Sequence, residues 1–307
     1  MRNIGDNAMR KLCISFSILF LLLGASFPAA AETAKIKHLV SVYVDGDGKK
    51  LQYPEGVACQ GDSFLVADTG NSRILRYSYK NSTLAAEQQF PLENGYPIVI
   101  QVNSKGEIYY LDGRERRIGR LGAAGEPKGF MKFTGLPETE TLMLRSFRID
   151  GENNLYLLDI FSERVVRVNS EGMFMKSIPL PENYGFISDL AIDQRGKVFL
   201  VDSINAAVYA QNEQGDGFVP LGKNMKEYMN FPTGISIDRA GQIFLTDQFG
   251  SGLILIGRDG SFLGRKIAMG WIDSLLFYPS QLCLNSSNEI VIADRSNSRV
   301  QVFGLAE

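Results

Sequence analysis

Short apolar runs that end in an aspartate recur along the chain at separations of 43 to 47 residues. In the first of them, residues 64–67 are apolar, residues 68–72 are polar and turn-forming, and a second apolar run begins at Arg73. β-Branched, aromatic and aliphatic residues on both sides of an Asp/Gly/Asn cluster predict two strands joined by a turn. The aspartates that end the six runs are Asp68, Asp112, Asp159, Asp202, Asp247 and Asp294.

A further strand is predicted ahead of each run, because apolar and other residues alternate there and a tight turn follows. These strands begin near Gly56, Ile100, Phe147, Leu190, Ile235 and Leu282. A period of about 45 residues with four short strands is typical of the blades of a β-propeller. Solenoids of helix pairs have a similar period, but the strand content argues against them. The pattern therefore predicts an all-β fold of six four-stranded antiparallel blades.

The two ends of the repeat array complement each other. One strand-like stretch, residues 37–44, precedes the first complete unit, whereas the last unit stops after its third strand at Phe303. We therefore expect an N-terminal strand, at about residues 38–45, to complete blade six. This pairing closes the ring and removes an exposed sheet edge.

The sequence around two of the turns resembles the NHL repeat. The stretches that carry the resemblance are residues 53–58 and 66–74 in the first unit and residues 292–300 in the last. The resemblance extends over residues 37–303 and weakens in the middle, where Ala207 and Gly252 replace the arginine that follows the aspartate by five positions. It implies a six-bladed propeller. The erosion of the motif prevents a family function from being transferred as a whole.

The repeated aspartates and arginines are expected to have structural roles. An aspartate accepts hydrogen bonds from turn amides, and an arginine five residues later can pair with it. A metal site needs several oxygens that converge on one ion. Six aspartates spread around a ring cannot provide that convergence.

Residues 1–31 have the pattern of a secretory signal peptide, with Arg10 and Lys11 ahead of an apolar stretch and three alanines that end at Ala31. We expect cleavage near Ala31, which would place residues 32–307 in the periplasm or outside the cell as one NHL-type propeller domain. A retained membrane anchor is the alternative, although the stretch is short for a span and no later stretch approaches that length. The formal net charge of −2 becomes −4 without residues 1–31. That charge disfavours a nucleic-acid partner.

Cys59 and Cys283 lie on the first strands of units one and six, which ring closure makes neighbours. Counted from the prolines that precede them, they point to opposite faces of their own blades. We therefore favour two buried free thiols. A disulfide remains the alternative, because an exported protein permits one.

Histidine-dependent catalysis is disfavoured, because the chain contains one histidine, His38, in the predicted closing strand. A Ser-His-Asp or Cys-His arrangement would need it in the site. The chain also looks unlike propeller lyases and quinone dehydrogenases, which use several histidines.

One enzymatic hypothesis survives, since propellers resembling lactonases hold Ca²⁺ on the axis. Of the residues expected there, only Glu55 and Asp189 are carboxylates, which makes a weak calcium site.

The starts of the first strands converge on the propeller axis, where loops can vary without disturbing the blades. The polar candidates for a binding site there are Glu55, Arg145, Ser188, Asp189, Thr233 and Gln281. We predict a monomeric, non-catalytic binding or scaffold module, without a cofactor, for a protein, peptide or glycan ligand. The alternatives are a calcium-dependent lactonase or esterase, the sensor part of a larger envelope assembly, and polar groups that only satisfy one another. The apolar connector at residues 264–279 is interpreted as a packed loop, with a partner-binding patch as the alternative.

Overall fold

The structure, a computed structural model, describes residues 35–306. The predicted signal peptide at residues 1–31 lies outside the described residues. Between Lys35 and Ala306 the chain forms 24 β-strands, numbered in chain order, and three short 3-10 helices. The strands make six separate four-stranded antiparallel sheets. The predicted all-β, six-bladed propeller is confirmed.

In blades one to five the strands run from inner to outer in chain order, and in blade six the outer strand is the N-terminal β1. Blade one contains β2 (Val57–Gln60), β3 (Ser63–Asp68), β4 (Arg73–Lys80) and β5 (Thr83–Pro91). Blade two contains β6 (Pro97–Val102), β7 (Ile108–Asp112), β8 (Ile118–Leu121) and β9 (Pro127–Phe130). Blade three contains β10 (Leu144–Ile149), β11 (Leu155–Asp159), β12 (Arg164–Val168) and β13 (Phe174–Pro179). Blade four contains β14 (Ile187–Ile192), β15 (Val198–Asp202), β16 (Ala207–Gln211) and β17 (Phe218–Pro220). Blade five contains β18 (Pro232–Ile237), β19 (Ile243–Asp247), β20 (Gly252–Ile256) and β21 (Phe262–Ile267). Blade six contains β22 (Leu282–Leu284), β23 (Ile290–Asp294), β24 (Arg299–Ala306) and β1 (Lys35–Val42). The 3-10 helices are Thr69–Asn71, Thr139–Thr141 and Arg295–Asn297.

The N-terminal strand closes the ring as predicted. β1 pairs antiparallel with β24, from Lys35 opposite Ala306 to Val42 opposite Val300. The strand ends at Val42 rather than near residue 45, because the Asp45 carboxylate organises a turn. Its Oδ1 accepts the backbone N–H groups of residues 47 and 49, each at 2.9 Å. Asp45 also forms a buried ion pair with Arg73 of blade one, which ties the closing segment to the next blade.

The second strand of each blade is buried on both faces, because every blade packs between two neighbours. All residues of β11 and β19 are buried. This environment explains why those strands are continuous apolar runs rather than alternating ones. The facing sides of adjacent blades form separate apolar clusters, and the cluster between blades six and one includes Val66 and Val300. At the junction of blades six and one, which we call the seam, the facing sides of the two sheets are therefore packed against each other.

Cys59 and Cys283 form a disulfide, with 5.7 Å between their Cα atoms. The expectation of two buried free thiols was wrong, and both residues are only partly buried. The face that blade one turns toward blade six is the opposite of the face that blade six turns toward blade one. Side chains on opposite faces of their own blades therefore meet across the seam.

The repeated aspartates are buried and organise the turns that follow the second strands. In blades one, three and six, the Oδ2 atom of the aspartate accepts a hydrogen bond from Nε of the arginine five residues later, at 2.6, 3.0 and 2.6 Å. The predicted structural role is confirmed for those three pairs. In blade two, Arg117 instead lies over the Phe130 ring, 4.2 Å from its centroid. Asp112 there accepts backbone N–H groups.

Blade five replaces its missing arginine with one from the outer strand. Arg265 of β21 places Nη2 2.5 Å from Oδ2 of Asp247. A Cβ atom on Gly252 would lie 2.2 Å from Nη1 of Arg265. The glycine at the eroded motif position therefore makes room for the substitute arginine.

Candidate functional site

A cavity of about 220 Å³ opens on the propeller axis, at the face where the inner strands begin. The turns between second and third strands reach the same face. Five of the six predicted site residues line the cavity, namely Glu55, Arg145, Ser188, Thr233 and Gln281. They come together because each stands at the start of an inner strand, and six inner strands surround one axis.

Asp189 is the predicted residue that does not line this cavity. It is 1% exposed and forms an ion pair with Arg148, with 2.6 Å between Oδ2 and Nη2. The Ser146 hydroxyl also donates to Asp189. Arg148 lines a second axial cavity, which opens toward the opposite face beside the disulfide. The Asp189–Arg148 pair therefore lies between the two cavities.

Sequence reasoning missed several residues contributed by the turns. Gly113, Arg116 and Gln248 line the cavity. Arg295 holds Glu55, with Nε 2.6 Å from Oε1. Gly113, Gln248 and Arg295 each directly follow a repeat aspartate, so that position was the available signal. Tyr96, Ile98, Val99 and Ser280 complete the lining.

The cavity wall has excess positive charge. Its one carboxylate among residues 35–306, Glu55, is already paired with Arg295. Within residues 35–306 the Arg116 guanidinium donates one hydrogen bond, from Nη1 to the Leu144 carbonyl oxygen at 3.4 Å. Within the same residues Arg145 forms no ion pair, and its Nε is buried without a hydrogen-bond partner. Burial lowers the pKa of the Arg145 guanidinium, whereas the negative charge of Asp189 acts to raise that pKa. This guanidinium is therefore a charge of the cavity wall without an ion-pair partner among the described residues.

The single histidine forms a cluster on the outer strand β1. His38 Nε2 lies 2.9 Å from the Ser41 hydroxyl oxygen, and that hydroxyl donates to Asp273 at 2.7 Å. In a catalytic triad the carboxylate contacts the histidine, and the histidine contacts the serine. Here the carboxylate contacts the serine, so the three side chains do not form a triad.

We expect His38 to make the protein less stable as the pH falls from 7.5 to 5.5. Burial lowers the pKa of its imidazole below 6.5, and the charge of Arg299 adds to this while Asp273 opposes it. The unfolded chain then binds more protons than the folded one, so stability is lost as the pH falls through the unfolded pKa. Urea unfolding of the wild type and of His38→Gln at both pH values measures the effect, and the variant should lose less stability. An equal loss in both proteins would contradict the assignment.

The connector before blade six presents apolar side chains from an anchored backbone. Arg299 donates to the carbonyl oxygens of Trp271, Ile272 and Leu275. Trp271 is nevertheless 71% exposed and Ile272 is 70% exposed. The loop is thus packed, as interpreted, and still leaves two large apolar side chains on the surface. Among residues 35–306 no helix has the length and apolarity needed to cross a membrane.

Comparisons with known proteins agree with the fold. The family model of the NHL repeat matches residues 278–303. A gluconolactonase of Xanthomonas campestris superposes with a TM-score of 0.64 at 14% identity, over 89% of this chain and 90% of that one. Virginiamycin B lyase of Staphylococcus aureus gives 0.59 at 13% identity, over 89% and 100% of the two chains. A Bacteroides thetaiotaomicron protein of unknown function gives 0.64 at 14%, over 89% and 76%. No curated protein matches the sequence significantly.

At these identities the solved structures establish the architecture alone, and that architecture is the six-bladed β-propeller. Within it, the last blade carries an NHL repeat, at the position where the sequence most resembles that motif. The protein is therefore a six-bladed β-propeller with an NHL repeat in its last blade.

Proposed function

We propose that the protein is a non-catalytic extracytoplasmic binding module whose site is the axial cavity. The observation that carries the proposal is the guanidinium of Arg145, which has no ion-pair partner among residues 35–306 and lies beside polar groups at the starts of four other inner strands. Buried polar groups without partners are rare in folded proteins, since each costs free energy. A ligand that satisfies them would recover that free energy. The ligand is a protein, a peptide or a glycan.

The extracytoplasmic location rests on two features of the chain. Residues 1–31 have the order of a signal peptide, with basic, apolar and small residues in turn. The Cys59–Cys283 disulfide is a bond that persists in oxidising compartments and is rare in the cytosol. Both features support export.

A calcium-dependent hydrolase at the axis is the second candidate, because one similar structure is a gluconolactonase. Calcium takes about six to eight oxygen ligands, with carboxylates prominent among them. Among residues 35–306 the cavity offers one carboxylate, Glu55, which Arg295 already holds, and two arginines point at the same space. These residues do not fit a calcium ion, which supports the binding function.

The double variant Glu55→Ala, Arg145→Ala tests the proposed site. Wild-type and variant proteins are used to capture partners from the native extracytoplasmic fraction, and the affinity of each partner is then measured. We expect affinity to fall at least about tenfold, because a charge-assisted contact and its neighbour are lost. The control is Glu213→Ala, Arg239→Ala, which makes the same charge changes at turns on the opposite face and should leave affinity unchanged.

Unchanged affinity in the Glu55/Arg145 variant would show that the axial cavity is not the site. Metal analysis of the purified protein and assays with a panel of lactones address the second candidate. A bound divalent ion together with turnover would favour the hydrolase.

A further inference from the structure

Two side chains that line the axial cavity each contain a buried polar atom without a partner among residues 35–306, and the two atoms have opposite hydrogen-bonding character. Arg145 Nε is a donor, and Gln281 Oε1 is an acceptor. Both atoms are buried without a partner among residues 35–306, and Gln281 is only 8% exposed. Both side chains line the same cavity. A ligand suited to them offers an acceptor to the arginine and a donor to the glutamine.

The charges of the cavity wall favour a ligand whose acceptor group carries one negative charge. Arg116 and Arg145 have no ion-pair partner within the described part of the chain, and a planar guanidinium binds a carboxylate through two parallel hydrogen bonds. Glu55 remains on the wall, where its charge repels a second negative charge. This arrangement favours a carboxylate over a dianionic phosphate.

A row of aromatic side chains begins next to Arg145, which lines the cavity. We call Phe186, Phe231, Phe249 and Tyr278 the aromatic arc. Successive ring centroids along it are 6.4, 4.6 and 6.0 Å apart. The arc begins at the site itself, because the Arg145 guanidinium lies 5.5 Å from the Phe186 centroid. Phe231 has φ +104°, a conformation that residues with a side chain rarely adopt and that occurs where surroundings impose it, often at ligand sites.

We propose that the axial site binds an α-amido carboxylate with an apolar side chain. This chemistry is shared by the C-terminus of a peptide and by small N-acylated amino acids. The carboxylate contacts Arg145 and Arg116, the amide N–H donates to Gln281 Oε1, and the apolar side chain packs on the aromatic arc. The inference rests on the proposed binding function. It keeps the peptide among the ligands given there and adds small N-acylated amino acids.

Four probes separate these contacts when their affinities are measured by isothermal titration calorimetry. They are N-acetylphenylalanine, its primary amide, 3-phenylpropanoate and N-acetylglycine. We expect N-acetylphenylalanine to bind at least about tenfold more tightly than its amide, because the charged contact is lost. 3-Phenylpropanoate lacks the N–H group and N-acetylglycine lacks the apolar side chain, so both should also bind more weakly. A peptide with C-terminal phenylalanine that binds still more tightly, but not when amidated, would identify a chain terminus as the source. Equal affinity for peptide and N-acetylphenylalanine would identify a small ligand.

The variant Arg145→Gln should weaken binding of N-acetylphenylalanine at least about tenfold, with Arg145→Lys between it and the wild type. The control Arg239→Gln removes the same charge from an exposed turn on the opposite face and should leave affinity unchanged. Circular dichroism and thermal unfolding verify that each variant is folded.

Equal affinities for the acid and its amide, or no binding of any probe to the folded wild type, would overturn the inference. If the probes failed in this way but the Glu55/Arg145 double variant no longer bound its native partner, the site would be supported and only the ligand class would be wrong. If partner capture were also unaffected, the proposed function would fail as well.

Discussion

Replacing Arg299 with alanine is expected to destabilise the protein by about 3 to 5 kcal/mol, because it leaves a buried carboxylate without its counter-ion. Arg299 is 1% exposed, and its Nε lies 2.6 Å from Oδ2 of Asp294, which is fully buried. Its remaining acceptors are the Tyr43 hydroxyl, the Asp273 carboxylate and the carbonyl oxygens of Trp271, Ile272 and Leu275. One side chain thus joins β24, the closing segment after β1 and the connector before blade six.

Equilibrium unfolding in urea measures this loss. The control Arg258→Ala removes an exposed arginine from a turn in blade five and should change stability by less than about 0.5 kcal/mol. A second variant, Asp294→Asn with Arg299→Met, removes both charges and should be more stable than Arg299→Ala, since no buried charge is left alone. A loss below about 1 kcal/mol for Arg299→Ala would show that water or rearranged side chains satisfy Asp294.

Replacing both disulfide cysteines with alanine should cost about 2 to 5 kcal/mol, chiefly by releasing a constraint on the unfolded chain. The bond links residues 224 positions apart, so it closes a very long loop. The fold itself should persist, because β1 still pairs with β24 within blade six and closes the ring.

Urea unfolding of the wild type and of Cys59→Ala, Cys283→Ala, each with and without a thiol reductant, tests this expectation. Reductant should bring the wild type to the stability of the variant and should not affect the variant. Equal stability of the oxidised wild type and the variant would indicate that native-state contacts at the seam relax once the bond is absent.

The architecture was predictable because its signals are local and repeated six times. Each unit carries the same order of apolar run, aspartate, polar turn and apolar run. The pattern can therefore be recognised even where one unit departs from it. Ring closure could be predicted by counting strands, because the last unit lacks its fourth strand and residues 37–44 supply it. The axial residues followed from the same alignment, and five of the six line one cavity.

Other features could not be predicted because they depend on contacts between units. The partner of Asp247 comes from an outer strand and needs the space left by Gly252. Asp189 was predicted to belong to the axial site, but it forms a buried ion pair with Arg148 and does not line the cavity. The aromatic arc joins side chains from three blades whose spacing in the sequence shows no motif.

The sequence by itself determined the number of blades, the order of strands within them and the strand that seals the ring. These properties depend on hydrophobic periodicity and turn chemistry, which act over a few residues. Only the tertiary structure decided which side chains meet at the axis and at the seam. The Cys59–Cys283 bond and the unpaired groups of Arg145 and Gln281 arise from distances between strands far apart in the chain. Such distances are set by how complete blades pack, and no local pattern encodes them.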